Sequence, residues 1–270
     1  MTASLAIERN GPIGLLTLNR PERHNAFDDA LIAEMTEALR HMEAEDGIRV
    51  VVLSSAGKSF SAGADLNWMR RAAAASLEEN RRDAMALAAL MRTLAELRKP
   101  TIARVQGPAY GGGVGLVACC DIAVATQDAF FALSEVKLGL LPAVVSPYVV
   151  AAIGQRAARR YFLTGERFDA AEAWRLGLVH ELAIDGDELD EKIGAIADAL
   201  LSCGPVAQGE AKSLIRAVAD RPLTSDLVQD TADRIARVRS SPEGTEGVAA
   251  FLEKRRASWL PPELEADGKA

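Results

Sequence analysis

The chain has 270 residues, which is room for one large domain or for a core with a small appendage, since domains run to roughly 100 to 200 residues each. Its 38 acidic and 31 basic residues give a formal net charge of −7, so the summed field repels nucleic acid and anionic membranes. Three cysteines cannot build a disulfide framework, the first residues lack an export signal, and no stretch of about eighteen residues is apolar throughout, so a cytoplasmic protein without membrane spans is expected.

The N-terminal part of the chain alternates strand and helix patterns. Residues 5–18 contain two β-type runs around Asn10-Gly11, which predict a hairpin. Apolar residues recur at helical spacing over 28–45 and predict an amphipathic helix. The β-branched run 48–55 is typical of a strand buried on both faces, and a loop rich in small residues, AGKSFSAGAD, follows it.

The middle of the chain carries a turn made almost wholly of glycine. Ser76 and Glu79 form a capping box that opens a long helix, which a Lys-Pro pair stops after Leu97. The segment 101–107 is a short strand, and the run GGGVGLVACCD, 111–121, follows it. Its second half predicts a short buried helix that the chain enters through the glycines, and DIAVAT predicts the next strand.

The C-terminal part becomes more helical and more charged. FALSEVKLGLLP predicts a strand and loop, and the segment 146–163 predicts a helix. Asp169 and Glu172 mark the start of a further helix that Gly177 ends. From about residue 186 onward helical patterns dominate, up to a polar tail, PELEADGKA. The chain is therefore an α/β core of about 200 residues followed by a helical region.

Several common chemistries lack their required residues. The dinucleotide fingerprint fails because Leu116 stands where its third glycine is needed, and the P-loop fails because Val52 stands where its first glycine is needed. No G-x-S-x-G elbow is present. The three histidines have no metal-binding spacing, and surface or packing roles are expected for His24 and His180.

What remains is a site built from backbone groups. An N–H at a helix N-terminus is unpaired and carries the positive end of the helix dipole. Two such groups directed at one carbonyl oxygen form an oxyanion hole, worth about 3 to 4 kcal/mol per donor. Two loops qualify: SAGAD, 61–65, where Asp65 opens a helix, and GGGVGL, 111–116.

Five segments together resemble the crotonase family, which comprises enoyl-CoA hydratases and isomerases: LNRPERHNAF, KSFSAGADL, VQGPAYGGGVGL, FALSEVKLGLLP and AFLEKR. They occur in the family's order and span nearly the whole chain. The resemblance implies an α/β spiral of ββα units that binds acyl-CoA, residues 1–200, and a C-terminal helical trimerisation region, 201–270. It also implies a homotrimer or a homohexamer of two trimers.

The resemblance places three residues at the reaction. The main-chain N–H groups of Ala64 and Gly112 would polarise the thioester carbonyl, and Glu135 would move the proton. The neighbours of Glu135 are apolar, so burial would raise the pKa of its carboxyl toward that of a proton shuttle. The alternative is a surface glutamate paired with Lys137. Coenzyme A is part of the substrate, and no metal or further cofactor is expected.

The resemblance also implies the residues that hold the rest of the substrate. Nine positions match those that contact coenzyme A, the last two from a neighbouring subunit in some members: Arg23, His24, Ala26, Ala62, Asp65, Leu66, Gly111, Phe251 and Lys254. Lys254 would supply positive charge that the acidic surface lacks. An acyl pocket is expected at apolar positions for which core packing is the alternative: Trp68, Met69, Ala143, Val144 and Tyr148.

One position departs from the family's hydratases. They commonly carry another glutamate four residues after the first glycine of the turn, and here that residue is Gly115. A single carboxylate is enough to move a C=C bond, which favours a Δ3-Δ2 enoyl-CoA isomerase.

The segments GADLNWMRR and SEVKLGLLPAVVSPYVV nevertheless resemble bacterial methylglutaconyl-CoA hydratases of leucine degradation, whose relatives can lack that glutamate. Hydration of methylglutaconyl-CoA or a similar branched or short enoyl-CoA is therefore the favoured prediction. A non-catalytic acyl-CoA or RNA-binding protein is the alternative of another class. The acidic balance and the lack of a basic, aromatic-rich stripe argue against RNA.

Overall fold

A computed structural model describes residues 3–261, where strands and helices alternate as the sequence predicts. The strands are β1 Leu5–Asn10, β2 Ile13–Leu18, β3 Val50–Ser55, β4 Thr101–Val105, β5 Ala109–Tyr110, β6 Ile122–Thr126, β7 Phe130–Ala132, β8 Arg167–Asp169 and β9 Glu181–Ala183. The helices are α1 Asp29–Ala44, α2 Leu66–Ala74, α3 Leu77–Glu96, α4 Gly112–Cys119, α5 Ser146–Thr164, α6 Ala170–Leu176, α7 Gly186–Leu201, α8 Pro205–Val218, α9 Ser225–Arg239 and α10 Pro242–Leu252. The predicted polar tail lies outside the described residues.

A six-stranded sheet in the order β1-β2-β3-β4-β6-β9 organises the fold. Its β1–β2 pair is antiparallel, and its other pairs are parallel. In β3, Val51 and Leu53 pack into the core that contains α1 and α3, while Val50 and Val52 pack into a second core with α7. The strand is buried on both faces, as its continuous β-branched sequence predicts.

The N-terminal hairpin forms, with its turn one residue later than expected. The register pairs Asn10 with Ile13, so Gly11 and Pro12 occupy the turn in place of Asn10 and Gly11. Gly11 has φ of 55°, a left-handed conformation that glycine adopts without steric cost, and the ring of Pro12 fixes the φ of Pro12 itself.

A three-stranded sheet, β5-β7-β8, lies beside the loops that follow β3 and β4. Two isolated parallel bridges connect these segments: Ser61 with Ala109, and Phe27 with Ala64. The N–H of Tyr110 donates to the carbonyl of Ser61 at 2.8 Å. The two loops singled out from the sequence are therefore held side by side.

The C-terminal helices are fastened to the sheet by charged side chains. Helices α8, α9 and α10 pack against one another. Lys212 of α8 forms an ion pair with Asp121 at 2.6 Å, and Arg49 donates to the carbonyls of Leu201 and Cys203 at the end of α7. Among the helices of residues 3–261, none has the length and apolar character needed to cross a membrane.

Candidate active site

The glycine turn enters α4 in a conformation that a side chain would disturb. Gly111 has φ of 49° and ψ of −113°, and its N–H donates to the carbonyl of Ala132. A Cβ at this position would lie 2.8 Å from Oε1 of Glu135. The first helical hydrogen bond runs from Gly115 to Gly111, so the N–H of Gly112 has no acceptor within the described chain.

The second loop offers another free backbone donor. The N–H groups of Phe27 and Asp65 make the two bonds of the bridge, to Gly63 and Phe27 respectively, both at 2.7 Å. The N–H of Ala64 lies between them in the loop and has no acceptor in residues 3–261. Gly63 approaches the other loop closely, since a Cβ on it would lie 3.8 Å from the nitrogen of Gly112. The two free donors thus belong to loops in backbone contact.

Glu135 faces this turn with an unsatisfied oxygen. It begins a 3-10 helix, Glu135–Leu138, where the sequence predicted only strand and loop. Its side chain is partly buried, and Oε2 has no hydrogen-bond partner among the described residues. Burial raises the pKa of its carboxyl, against the smaller opposing effect of a hydrogen bond from its own N–H. Lys137 is exposed and is not among the groups that shift the pKa of Glu135.

The two loops expected to contact coenzyme A are joined to each other. Asp65 caps α2, accepting from the N–H groups of Asn67 and Trp68, and lies 3.5 Å from the guanidinium of Arg23. Burial opposes ionisation of Asp65, but these hydrogen bonds and the arginine lower its pKa. The N–H of Ala62 donates to the carbonyl of His24 at 2.8 Å.

The remaining members of this group differ in exposure. Ala26 and Gly111 are buried, whereas Ala62 and Leu66 are exposed. The ring of His24 contacts Ser59 Oγ at 3.0 Å and is itself exposed, while His180 accepts from the N–H of Ala123, which is a packing role.

The apolar positions proposed for the acyl group lie in two places. Trp68 and Met69 are partly buried on α2, and Trp68 Nε1 donates to Asp83 of α3. Ala143 is exposed and Tyr148 partly buried at the start of α5.

Val145, in the same stretch, was not predicted as a site residue. A Cβ on Gly115 would overlap with Cγ1 of Val145 and lie 2.8 Å from its Cβ. The sequence predicted acyl-pocket residues in the stretch AVVSPY, but no local pattern distinguishes Val145 as the residue that contacts Gly115.

Two predicted residues are not brought to this site within the chain. Phe251, with 82% of its surface exposed, and Lys254 lie at the end of α10, which packs on α8 and α9. A cavity of about 730 Å³ also lies elsewhere, between α5 and α6, and none of the predicted site residues lines it.

Comparison with known proteins gives consistent similarities. Residues 8–261 match the family model described as enoyl-CoA hydratase/isomerase. A Thermus thermophilus protein provisionally named an enoyl-CoA hydratase is 38% identical, over 91% of this chain and 96% of the relative. The 4-chlorobenzoyl coenzyme A dehalogenase-1 of an Arthrobacter species is 32% identical, over 97% and 95%. The crystal structure of an enoyl-CoA hydratase from Shewanella pealeana has a TM-score of 0.93 and 47% identity, covering 95% of this chain and 96% of that one.

Proposed function

The chain belongs to the enoyl-CoA hydratase/isomerase family, and we propose that it adds water to the α,β double bond of a short or branched enoyl-CoA such as methylglutaconyl-CoA. The observation that carries this proposal is Glu135, whose partly buried carboxylate has an unpartnered oxygen beside the Gly111 turn. Two relatives named for different reactions both have coenzyme A thioesters in their names, which supports a thioester substrate here.

The backbone donors stabilise the charge that forms during addition. The thioester oxygen accepts hydrogen bonds from the N–H groups of Ala64 and Gly112. As water adds to the β-carbon, electron density moves to this oxygen and an enolate develops. Donors already in place, together with the positive end of α4, stabilise the enolate without reorganising.

Glu135 moves the proton. Its carboxylate accepts a hydrogen bond from the water and takes a proton as the new C–O bond forms. The protonated carboxyl then delivers a proton to the α-carbon as the enolate collapses to the thioester. Water has been added across the double bond, and the carboxylate is regenerated. A pKa raised by burial suits this exchange.

Coenzyme A lies along the joined loops in this proposal, with Arg23 as a local cation on an acidic protein and His24, Ala26, Ala62, Asp65, Leu66 and Gly111 around it. Trp68, Met69, Ala143 and Tyr148 contact the acyl group. No metal or cofactor beyond the substrate takes part, so turnover is expected to persist after dialysis against EDTA.

The C-terminal helices form the contacts of a cytoplasmic homotrimer or homohexamer in this proposal. This region exposes large apolar side chains, among them Leu223 between α8 and α9 and Phe251 and Leu252 in α10, which are 84%, 82% and 72% exposed. A neighbouring subunit would cover them and bring Phe251 and Lys254 to coenzyme A. Light scattering coupled to size exclusion tests this, and a monomer at working concentration would contradict it.

Three substrates test the reaction: crotonyl-CoA, 3-methylglutaconyl-CoA and a 3-enoyl-CoA. We expect the absorbance of a conjugated enoyl thioester to fall with one or both of the first two. Absence of hydration of both would overturn the proposal.

Isomerisation is the second candidate, and Gly115 favours it because one carboxylate can move a proton between two carbons of the substrate. In the same experiment an isomerase would raise the conjugated absorbance from the 3-enoyl-CoA and leave the other two substrates unchanged.

A further inference from the structure

The space beside Gly115 belongs to the hydrophobic core. A Cβ there would overlap with Cγ1 of Val145, lie 2.8 Å from Cβ of Val145, and lie 3.3 Å from the terminal methyl of Met91. Val145 is 2% exposed and Met91 is fully buried. Position 115 is therefore closed to any side chain while Val145 keeps its present place.

This closed space lies close to the catalytic carboxylate. Gly111 and Gly115 are four residues apart at the start of α4, a separation of about 6 Å along a helix. Gly111 is the residue that Oε1 of Glu135 approaches. The Val145 side chain thus fills a volume about one helical turn from the Glu135 carboxylate.

The backbone of Val145 is fixed in turn. It precedes α5, and its carbonyl accepts from the N–H groups of Tyr148 and Val149 at 3.2 and 3.1 Å. The side chain is buried among residues of the main core. Its position at the start of α5 and its burial in the core therefore hold the Val145 side chain against α4, so displacing it is costly.

We infer that Val145 determines that this site works with one carboxylate, an inference that rests on the proposed hydration. It occupies the volume into which an acidic side chain at position 115 would project. Glu135 alone must therefore both position the water and transfer the proton. The sizes of the residues at positions 115 and 145 are therefore linked: position 115 can carry a side chain only where the residue at position 145 is smaller than valine.

The claim that Val145 fills the space beside position 115 is tested without substrate, from the melting temperatures of variants. Gly115→Ala adds one methyl group and no charge, and we expect it to lower the melting temperature by several degrees. In a Val145→Gly background the same change should cost little, while Val145→Ala should relieve it only in part because its Cβ stays 2.8 Å away. Gly194→Ala in α7 is the matched control, since nothing lies within 4 Å of that position.

The claim that Val145 keeps a second carboxylate out of the site is tested with Gly115→Glu combined with Val145→Gly. A positioned acid or base contributes roughly 100-fold or more in evolved enzymes, so we expect kcat for hydration at least about tenfold above that of Val145→Gly alone. The acid limb of its pH–rate profile should gain the ionisation of a second carboxyl. Gly115→Glu with Val145 intact should be destabilised and gain nothing.

Distinct outcomes separate the two proposals. The inference is overturned if Gly115→Ala is as stable as Gly194→Ala, if Val145→Gly fails to relieve it, or if the double variant folds with the kcat and pH profile of Val145→Gly. If the wild type isomerises but does not hydrate, the proposed function fails; hydration that appears only in the double variant would then still support the role of Val145.

Discussion

At the scale of single residues, the carboxylate of Glu135 carries an unsatisfied oxygen beside the glycine turn. An unpaired buried acceptor costs about 1 to 3 kcal/mol, and its oxygen Oε2 has no partner in the described chain. Packing alone would favour an apolar residue there. The cost is understandable where the oxygen has to receive a proton from a substrate.

Glu135→Gln should lower turnover at least about a hundredfold, because an amide cannot accept and return the proton. Binding of a non-reactive acyl-CoA should stay within a few-fold of wild type, since the backbone donors remain. Steady-state kinetics and calorimetric titration measure the two effects. Glu34→Gln, an exposed position on α1, is the matched control. Retained activity would remove Glu135 from the mechanism.

The raised pKa of Glu135 gives a pH dependence with a defined sign. Activity needs the carboxylate, so kcat/KM should fall as pH drops through the raised pKa. Ionisation costs more in the folded state than in the unfolded state, so Glu135→Gln should raise the melting temperature at neutral pH. The gain should vanish below the ordinary glutamate pKa. A gain that is constant with pH would show that ionisation is not its cause.

At the scale of elements, the site depends on how α2 and α4 begin. Helix α4 starts with glycines whose N–H groups no side chain caps, while α2 starts at Asp65, whose side chain caps two N–H groups. Both starts lie at the ends of loops that follow strands, where a rigid sheet positions them. Each helix therefore serves the site through its first turn.

Gly111→Ala should lower activity far more than its loss of stability alone would explain. Its φ of 49° is strained for alanine, and the new methyl would lie 2.8 Å from Glu135 Oε1, so both the turn and the carboxylate must shift. Gly154→Ala is the control, since Gly154 also has positive φ but nothing within 4 Å. Chemical denaturation and kinetics of both variants decide this, and equal losses of activity would contradict the assignment.

Asp65→Ala should lower the free energy of unfolding by about 1 kcal/mol through loss of the helix cap. Asp65→Asn keeps a capping oxygen and should retain most of this stability at neutral pH. Because the pKa of Asp65 is lowered in the folded state, its charge stabilises above the ordinary aspartate pKa, and this contribution is lost as pH falls through the lowered value. Urea titrations at neutral and acid pH test it; a pH-independent difference between the wild type and the Asp65→Asn variant would refute it.

At the scale of the whole molecule, one polar cluster fastens the C-terminal helices to the sheet. Asp121, at the end of the glycine run, accepts from the N–H and hydroxyl of Thr101 and pairs with Lys212. Lys212 also donates to the carbonyl of Lys99 at 3.1 Å and is 9% exposed. The cluster thus joins β4, the end of α4 and α8.

Lys212→Met should lower the free energy of unfolding by about 2 to 3 kcal/mol, because it leaves the Asp121 carboxylate without its cation in a partly buried place. Lys192→Met, at a more exposed pair with Glu181, should cost less than about 1 kcal/mol. Denaturant titrations compare the two, and equal small losses would show that Lys212 is not the fastening residue.

The sequence by itself determined the elements and the loops that carry the site. The capping box at Ser76 acts through Glu79, three residues further on, so a local rule was enough to predict it. The glycine run at Gly111 and the β-branched run at Val50 indicate a turn and a strand through their residue types alone. The raised pKa of Glu135 agrees with the prediction, and burial of the carboxyl is its main cause. The proposed catalytic roles stay predictions.

Tertiary structure alone decided what surrounds Gly115. The sequence shows only that a carboxylate is missing there, and it leaves open whether the space is empty, wet or filled. Val145 fills it from a loop far along the chain, and the contact exists only because α5 packs on α4. The ion pair of Lys212 with Asp121 could not be predicted from the sequence either. Like the contact of Val145 with Gly115, it depends on how distant segments pack, which no local pattern encodes.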